Sequence, residues 1–139
     1  TKDQAVRRYL EDSVRCLERK PDFDSYGHID YISRYMPYED PNLHYKDHPD
    51  LWDRVFQLLI QENKALEINT RRLGDDSTIP PLLELYKRFR ELGGKYATLG
   101  SDAHYKEHVG RDFAKGKAIA DAAGLTLVYY KERKRMLCE

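Results

Sequence analysis

Segments with helical periodicity alternate with short β-rich runs along this chain, and that alternation constrains its fold more than any other feature. Over residues 3–19, Val6, Tyr9, Leu10, Val14 and Leu17 recur at helical spacing, and Pro21 ends the run. Tyr26-Gly27-His28-Ile29-Asp30-Tyr31-Ile32 is β-rich and predicts a strand leading into a loop. Residues 33–49 carry Pro37, Pro41 and Pro49 and predict a long loop of the kind that often holds function. A second helix is expected from about Asp50 to Asn63, a second strand over Ala65–Asn69, and a turn-rich loop from Arg71 to Pro81. Leu82, Leu83, Leu85, Tyr86, Phe89 and Leu92 mark a third helix, stopped by Gly93-Gly94. Tyr96–Leu99 predicts a third strand, residues 110–122 a fourth helix that stops at Gly124, and Leu125–Tyr130 a last strand. The order α-β-α-β-α-β-α-β implies a parallel sheet with right-handed crossovers. A (β/α) barrel and an open doubly wound sheet both satisfy it. No GxGxxG or GxxxxGK[ST] loop is present, so a nucleotide-binding fold lacks its usual signature.

Composition narrows the function classes. At 139 residues the chain can bury one core, and 40% hydrophobic with 35% charged residues fits a folded domain rather than a disordered one. Lys plus Arg and Asp plus Glu each total 24, so the balance gives no support to binding nucleic acid or an anionic membrane. Lys131, Arg133, Lys134 and Arg135 form one local basic cluster, which reads as a solvated C-terminal segment. Cys16 and Cys138 are too few for a disulfide framework and lie in no CxxC motif, so a reduced, cytoplasmic protein is expected. No apolar run approaches the ~20 residues that span a bilayer. The opening Thr1-Lys2-Asp3-Gln4 has neither an initiator Met nor a following signal-peptide core, so a cut chain is expected.

In a parallel α/β fold, reactive side chains gather at the C-terminal ends of the strands. The first predicted strand delivers His28 and Asp30 there. The second delivers Glu67, Asn69, Arg71 and Arg72, and the third Ser101, Asp102 and His104. Histidine and carboxylate suit Zn²⁺, Mn²⁺ or Fe²⁺, and arginine grips phosphate in a bidentate fork. Glu67 suits hydrogen-bonded support of Asn69 or an arginine better than direct ligation.

Three of these segments carry a resemblance. Gly27-His28-Ile29-Asp30-Tyr31, Leu66-Glu67-Ile68-Asn69-Thr70 and Leu99-Gly100-Ser101-Asp102-Ala103-His104 resemble, in order and spacing, three late motifs of the histidinol phosphatases of the PHP (polymerase and histidinol phosphatase) family. The resemblance runs from about residue 24 to the end, and Gly-Ser-Asp-Ala-His is its most specific piece. It implies the C-terminal half of a distorted (β/α)7 barrel, so that residues 1–139 form a single partial domain. It further implies two or three divalent metal ions at the strand ends and hydrolysis of L-histidinol phosphate to L-histidinol and phosphate. Carried over by motif, His28, Asp102 and His104 would be metal ligands, with Asp102 and His104 at the catalytic centre. Arg34 and Arg71 would hold the substrate phosphate, with Arg72 as the fallback for Arg71.

The sequence also departs from the family. Its members open with a His-x-His strand, and none occurs here: the histidines are His28, His44, His48, His104 and His108. The first half of the barrel is therefore expected to lie elsewhere. A complete metal site is not expected from this chain alone, and self-association or pairing with the other half is. A non-catalytic half barrel that binds a partner is the alternative to the enzyme, and another phosphoester substrate for the same site is a nearer one. His44-Tyr45-Lys46-Asp47-His48 and His104-Tyr105-Lys106-Glu107-His108 are near copies, and His44, His48 and His108 read as loop residues. Tyr31, Tyr35 and Tyr38 either frame a ring-bearing substrate or pack the core.

Overall fold

The computed structural model describes residues 1–139. Helix α1 (Lys2–Glu18) starts from a capping box, in which Thr1 and Gln4 satisfy each other's backbone N–H groups, and it buries Val6, Leu10 and Leu17. Helices α2 (Pro49–Gln61) and α3 (Ile79–Glu91) both carry proline in their first turn, where no intrahelical donor is lost. Their buried faces meet through aromatic rings. Trp52 stacks on Phe56 at 5.6 Å, and Phe56 meets Phe89 edge-on at 5.7 Å. Helix α4 (Phe113–Ala123) lies close to the sheet at Gly116, where a Cβ would come within 2.7 Å of the Leu99 side chain.

The strands are β1 (Ser25–Tyr26), β2 (Ala65–Asn69), β3 (Tyr96–Gly100), β4 (Thr126–Lys131) and β5 (Lys134–Leu137). They lie in the order β1-β2-β3-β4-β5; the first four are parallel and β5 is antiparallel to β4. This order separates the two architectures left open by the sequence. A doubly wound sheet reverses direction at a switch point. Here every right-handed crossover steps the same way, so α2, α3 and α4 fall on one face, as in a barrel wall. Leu66, Ile68 and Ala97 point into the helical layer and join the core. The alternate residues, Ser25, Ala65, Glu67, Asn69, Tyr96 and Thr98, lie on the other face by the two-residue period of a strand. That face is small and polar, and Ser25 Oγ lies 2.6 Å from Thr98 Oγ1 across it.

Two expectations are corrected. The strand predicted over 26–32 stops at Tyr26, because His28 takes a left-handed φ of 30° and ends the extended path. A 3-10 helix, Tyr31–Tyr35, follows instead. The strand predicted over Leu125–Tyr130 is not the last: the basic cluster after it is mostly exposed, as expected, but it leads into a further strand. Glu132 and Arg133, at φ 50° and 63°, turn the chain back into β5, and this hairpin crosses the N-terminal ends of the other strands. There the Arg133 guanidinium grips Asp22 and Asp24 through contacts of 2.7–3.1 Å. Arg135 lies 3.9 Å over the Tyr96 ring and donates to the Asn63 carbonyl at 2.6 Å. No helix is long and apolar enough to cross a membrane.

Candidate active site at the strand ends

The chemistry-bearing residues collect where β1, β2 and β3 end, opposite the hairpin. Asp102 is the focus. One of its carboxylate oxygens, Oδ2, lies 2.6 Å from Arg34 Nη2 and 3.5 Å from Arg71 Nη1. Arg71 Nη1 also stands 3.1 Å from His104 Nδ1, and that ring nitrogen lies 2.9 Å from the Asp102 carbonyl oxygen. One nitrogen cannot donate to the carbonyl and accept from Arg71 at once. When Nδ1–H donates to the carbonyl, the lone pair sits on Nε2, the tautomer that metal-binding histidines use. Burial works to raise the Asp102 pKa, but the hydrogen-bonded Arg34 guanidinium, with Arg71 and His104 nearby, outweighs it and holds the carboxyl below its ordinary value.

Arg34 is positioned by the 3-10 helix after His28. Its Cζ lies 5.2 Å from the Tyr31 ring centroid, and the same ring packs against His28 at 4.8 Å. Its Nε is buried and has no hydrogen-bond partner, while Nη2 pairs with Asp102. Both proposed ligand turns are strained. His28 and Asp102 have φ of 30° and 50°, a conformation that costs a non-glycine residue of order 1 kcal/mol and persists where surrounding contacts impose it.

Of the residues singled out by sequence, Arg34, Arg71, Asp102 and His104 come together. His28 joins them only through Tyr31 and through Glu67 Oε1, which accepts its backbone N–H at 2.9 Å. His28, Asp102 and His104 do not converge, and no group of three His, Cys, Asp or Glu side chains is arranged to hold an ion. Arg72 is not a substitute for Arg71. It turns away to pair with the buried Asp30 at 2.5 Å and with Asn42 at 2.8 Å, where it neutralises an otherwise isolated charge. His44 pairs with Asp40 at 2.7 Å, and His48 is buried just before α2. Tyr31, Tyr35 and Tyr38 are exposed rather than packed in the core.

Sequence reasoning missed one wall of the site. Tyr105, His108 and Arg111 join Arg71, Asp102 and His104 around a cleft of about 200 Å³. The repeated His-Tyr-Lys-x-His pattern had pointed at His108 without assigning it a neighbour. Arg111 is brought in by its carbonyl, which accepts the buried Thr70 hydroxyl at 2.5 Å. A larger hollow of about 430 Å³ beside α3, lined by Tyr45, Leu83, Lys87 and Arg88, lies away from every strand end.

Comparison with known proteins gives one consistent relation. No family model matches the chain. A probable histidinol-phosphatase of Clostridium acetobutylicum is 36% identical over 132 residues, which is 95% of this chain and 52% of that protein. The histidinol-phosphatase of Lactococcus lactis subsp. lactis is 32% identical over 123 residues, 88% of this chain and 46% of that protein. A probable histidinol-phosphatase of Thermotoga maritima is 35% identical over 109 residues, 78% of this chain and 44% of that protein. The crystal structure of the Lactococcus lactis histidinol phosphate phosphatase, complexed with zinc, L-histidinol and phosphate, superposes with a TM-score of 0.85 at 29% identity, over 98% of this chain and 52% of that one. The chain thus spans about half the length of the curated relatives it matches.

Proposed function

We propose that this chain, a relative of the histidinol-phosphatases over nearly its whole length, supplies half the active site of a metal-dependent phosphomonoesterase that converts L-histidinol phosphate to L-histidinol and phosphate. The observation that carries this reading is the meeting of Arg34, Arg71 and His104 around Asp102. Two guanidinium groups beside a carboxylate and an imidazole are what phosphate recognition next to a cation requires.

The donor set fits a divalent ion such as zinc, manganese or iron in kind but not in number. Two imidazoles and one carboxylate are suitable donors, yet they do not form one closed group, so two or three ions would each need further ligands from the other half of such an enzyme. His28, Asp102 and His104 would each serve a different ion. When bound, the ions supply Lewis-acid charge at the phosphoryl group and a more acidic water. The chain's own residues do the rest. Arg34, through the Nη2 end that faces Asp102, and Arg71 grip the phosphate oxygens. Arg34 then exchanges its Asp102 partner for substrate. The exposed rings of Tyr31 and Tyr35 stand beside Arg34 and frame the imidazole of the leaving group. A cytoplasmic location, and pairing with the other half or with a second copy, belong to the same proposal.

A second reading, a non-catalytic half barrel that binds a partner, draws on the lack of a closed three-donor group. One experiment separates the two. The full-length protein is given L-histidinol phosphate with Mn²⁺ or Zn²⁺, and phosphate release is measured. Release that depends on the metal and weakens in Arg34→Ala supports the enzyme. Release no faster than in buffer removes it.

A further inference from the structure

Glu67 has no part in the chemistry above, yet its carboxylate stands where three strand ends meet. Oε1 accepts the backbone N–H of His28 at 2.9 Å and the side-chain amide Nδ2 of Asn69 at 3.0 Å. Asn69 is buried, and its Oδ1 accepts the backbone N–H of Arg71 at 3.1 Å. The second carboxylate oxygen, Oε2, lies over Gly100, where a Cβ would come within 2.4 Å of it. One side chain therefore touches the turn that carries His28, the strand that runs into Asp102 and, through Asn69, the turn that carries Arg71.

Two other uses of Glu67 are poorer fits. A metal ligand or general base needs a free lone pair facing the reacting group. Oε1 already accepts two N–H groups, and Oε2 lies over Gly100 at the end of β3. The arrangement also has a local task. His28 sits in the left-handed region, and the hydrogen bond from its own N–H to Glu67 holds the backbone there. On the phosphate side, the Asn69 amide is used at both ends, as a donor to Glu67 and an acceptor from Arg71, which fixes its orientation.

We infer that Glu67 is a positioning residue and Asn69 its relay, so that the proposed ion ligand His28 and the proposed phosphate arm Arg71 share one anchor. The inference rests on the function proposed above and adds a coupling to it: Glu67 sets His28 directly and Arg71 only through Asn69. The two links can be cut separately.

The test uses the full-length protein and the variants Asn69→Ala, Glu67→Ala and Glu67→Gln. Phosphate release, inhibition by inorganic phosphate and thermal melting are measured for each. Asn69→Ala cuts the Arg71 link and leaves the hydrogen bond from His28 to Glu67 in place, so KM and the inhibition constant for phosphate rise together by about 3–10-fold while kcat stays within about twofold. Glu67→Ala cuts both links, and kcat falls by about 10–100-fold as well. Glu67→Gln keeps one carbonyl oxygen able to accept both N–H groups, and it restores most of the activity lost in the alanine variant. If Gln is as damaging as Ala, Glu67 is a ligand or base and the inference is overturned. If Asn69→Ala lowers kcat as much as it raises KM, the relay is wrong. A readout independent of turnover is the His28 amide resonance in the full-length protein: it lies downfield, stays there in Glu67→Gln and moves upfield in Glu67→Ala. An unmoved resonance overturns the inference even in an active enzyme. A moved resonance in a protein that releases no phosphate leaves the anchor standing and removes the proposed reaction instead.

Discussion

The two ends of the parallel sheet are held by opposite means. At the C-terminal ends, the contacts are largely shielded: Glu67 to His28, Asn69 to Arg71, Arg34 to Asp102. Two of the backbone turns there are strained. At the N-terminal ends the hairpin grips through two exposed ion pairs, with Arg133 reaching two carboxylates at once. The first arrangement fixes side chains accurately and tolerates little change. The second holds strands together and loses little if one contact goes. Damage at the first end is therefore expected to appear as lost activity, and damage at the second as lost stability.

The largest effect is expected at the phosphate arms. If the proposed reaction holds, Arg34→Ala and Arg71→Ala in the full-length protein should each reduce kcat/KM by about 1.5–3 kcal/mol, the range for a hydrogen bond to a charged group. Arg34, the more buried of the two, belongs at the upper end of that range. Unchanged kcat/KM in both variants would take them out of the site. Next come two glycines that receive the same substitution at opposite ends. Gly100→Ala drives a Cβ into the Glu67 carboxylate and should lower turnover by about 10–100-fold, with melting little changed. Gly94→Ala, just before β3, drives a Cβ within 2.4 Å of the buried Phe89 ring and should cost about 1–3 kcal/mol of stability while the folded fraction keeps its activity. Urea titration and steady-state rates on the pair would show the contrast, and matching profiles would dissolve it.

The smallest effect belongs to the hairpin. Arg133→Ala should lower the melting temperature slightly, and less at high salt, because the contacts are exposed. Hydrogen bonding from Arg133 holds the Asp22 and Asp24 carboxyls below their ordinary pKa in the folded chain. Groups with a depressed folded pKa stabilise above their unfolded value and lose that contribution as pH falls through the folded one. The difference between Arg133→Ala and the parent should thus be present at neutral pH and close below the usual carboxylate range. A difference that grows on acidification would contradict the ion-pair account.

Much of this was legible in the sequence, for identifiable reasons. The helices follow from the periodicity of residues such as Leu51, Val55 and Leu59, and β2 and β3 from short apolar runs bounded by breakers. The meeting of Arg34, Arg71, Asp102 and His104 followed from strand-end logic and from the motif resemblance. The early stop of β1 did not, because a left-handed histidine leaves no mark in composition. The hairpin was hidden for a similar reason. Its turn is Glu132-Arg133, not the Asn-Gly or Asp-Gly pair that usually announces two consecutive left-handed residues. Arg71 and Arg72 are neighbours with opposite duties, and only the burial of Asp30 decides which of them faces inward. Arg111 reached the cleft through a contact from Thr70, 41 residues earlier, and no local pattern encodes such a contact.

The Arg133 clamp also sets an order of events in synthesis. Its partners Asp24 and Asp22 lie 109 and 111 residues earlier in the chain. At about 5–20 residues per second, a ribosome presents those carboxylates roughly 5–20 s before their arginine arrives. Only in the last part of that interval, once His104 has been made, can the candidate site through Asp102 and His104 be in place while the edge strand waits unlatched. A nascent chain paused short of residue 133 would thus look finished at its chemical end and unfinished at its base. The unlatched base is the part that a chaperone or a protease would meet first.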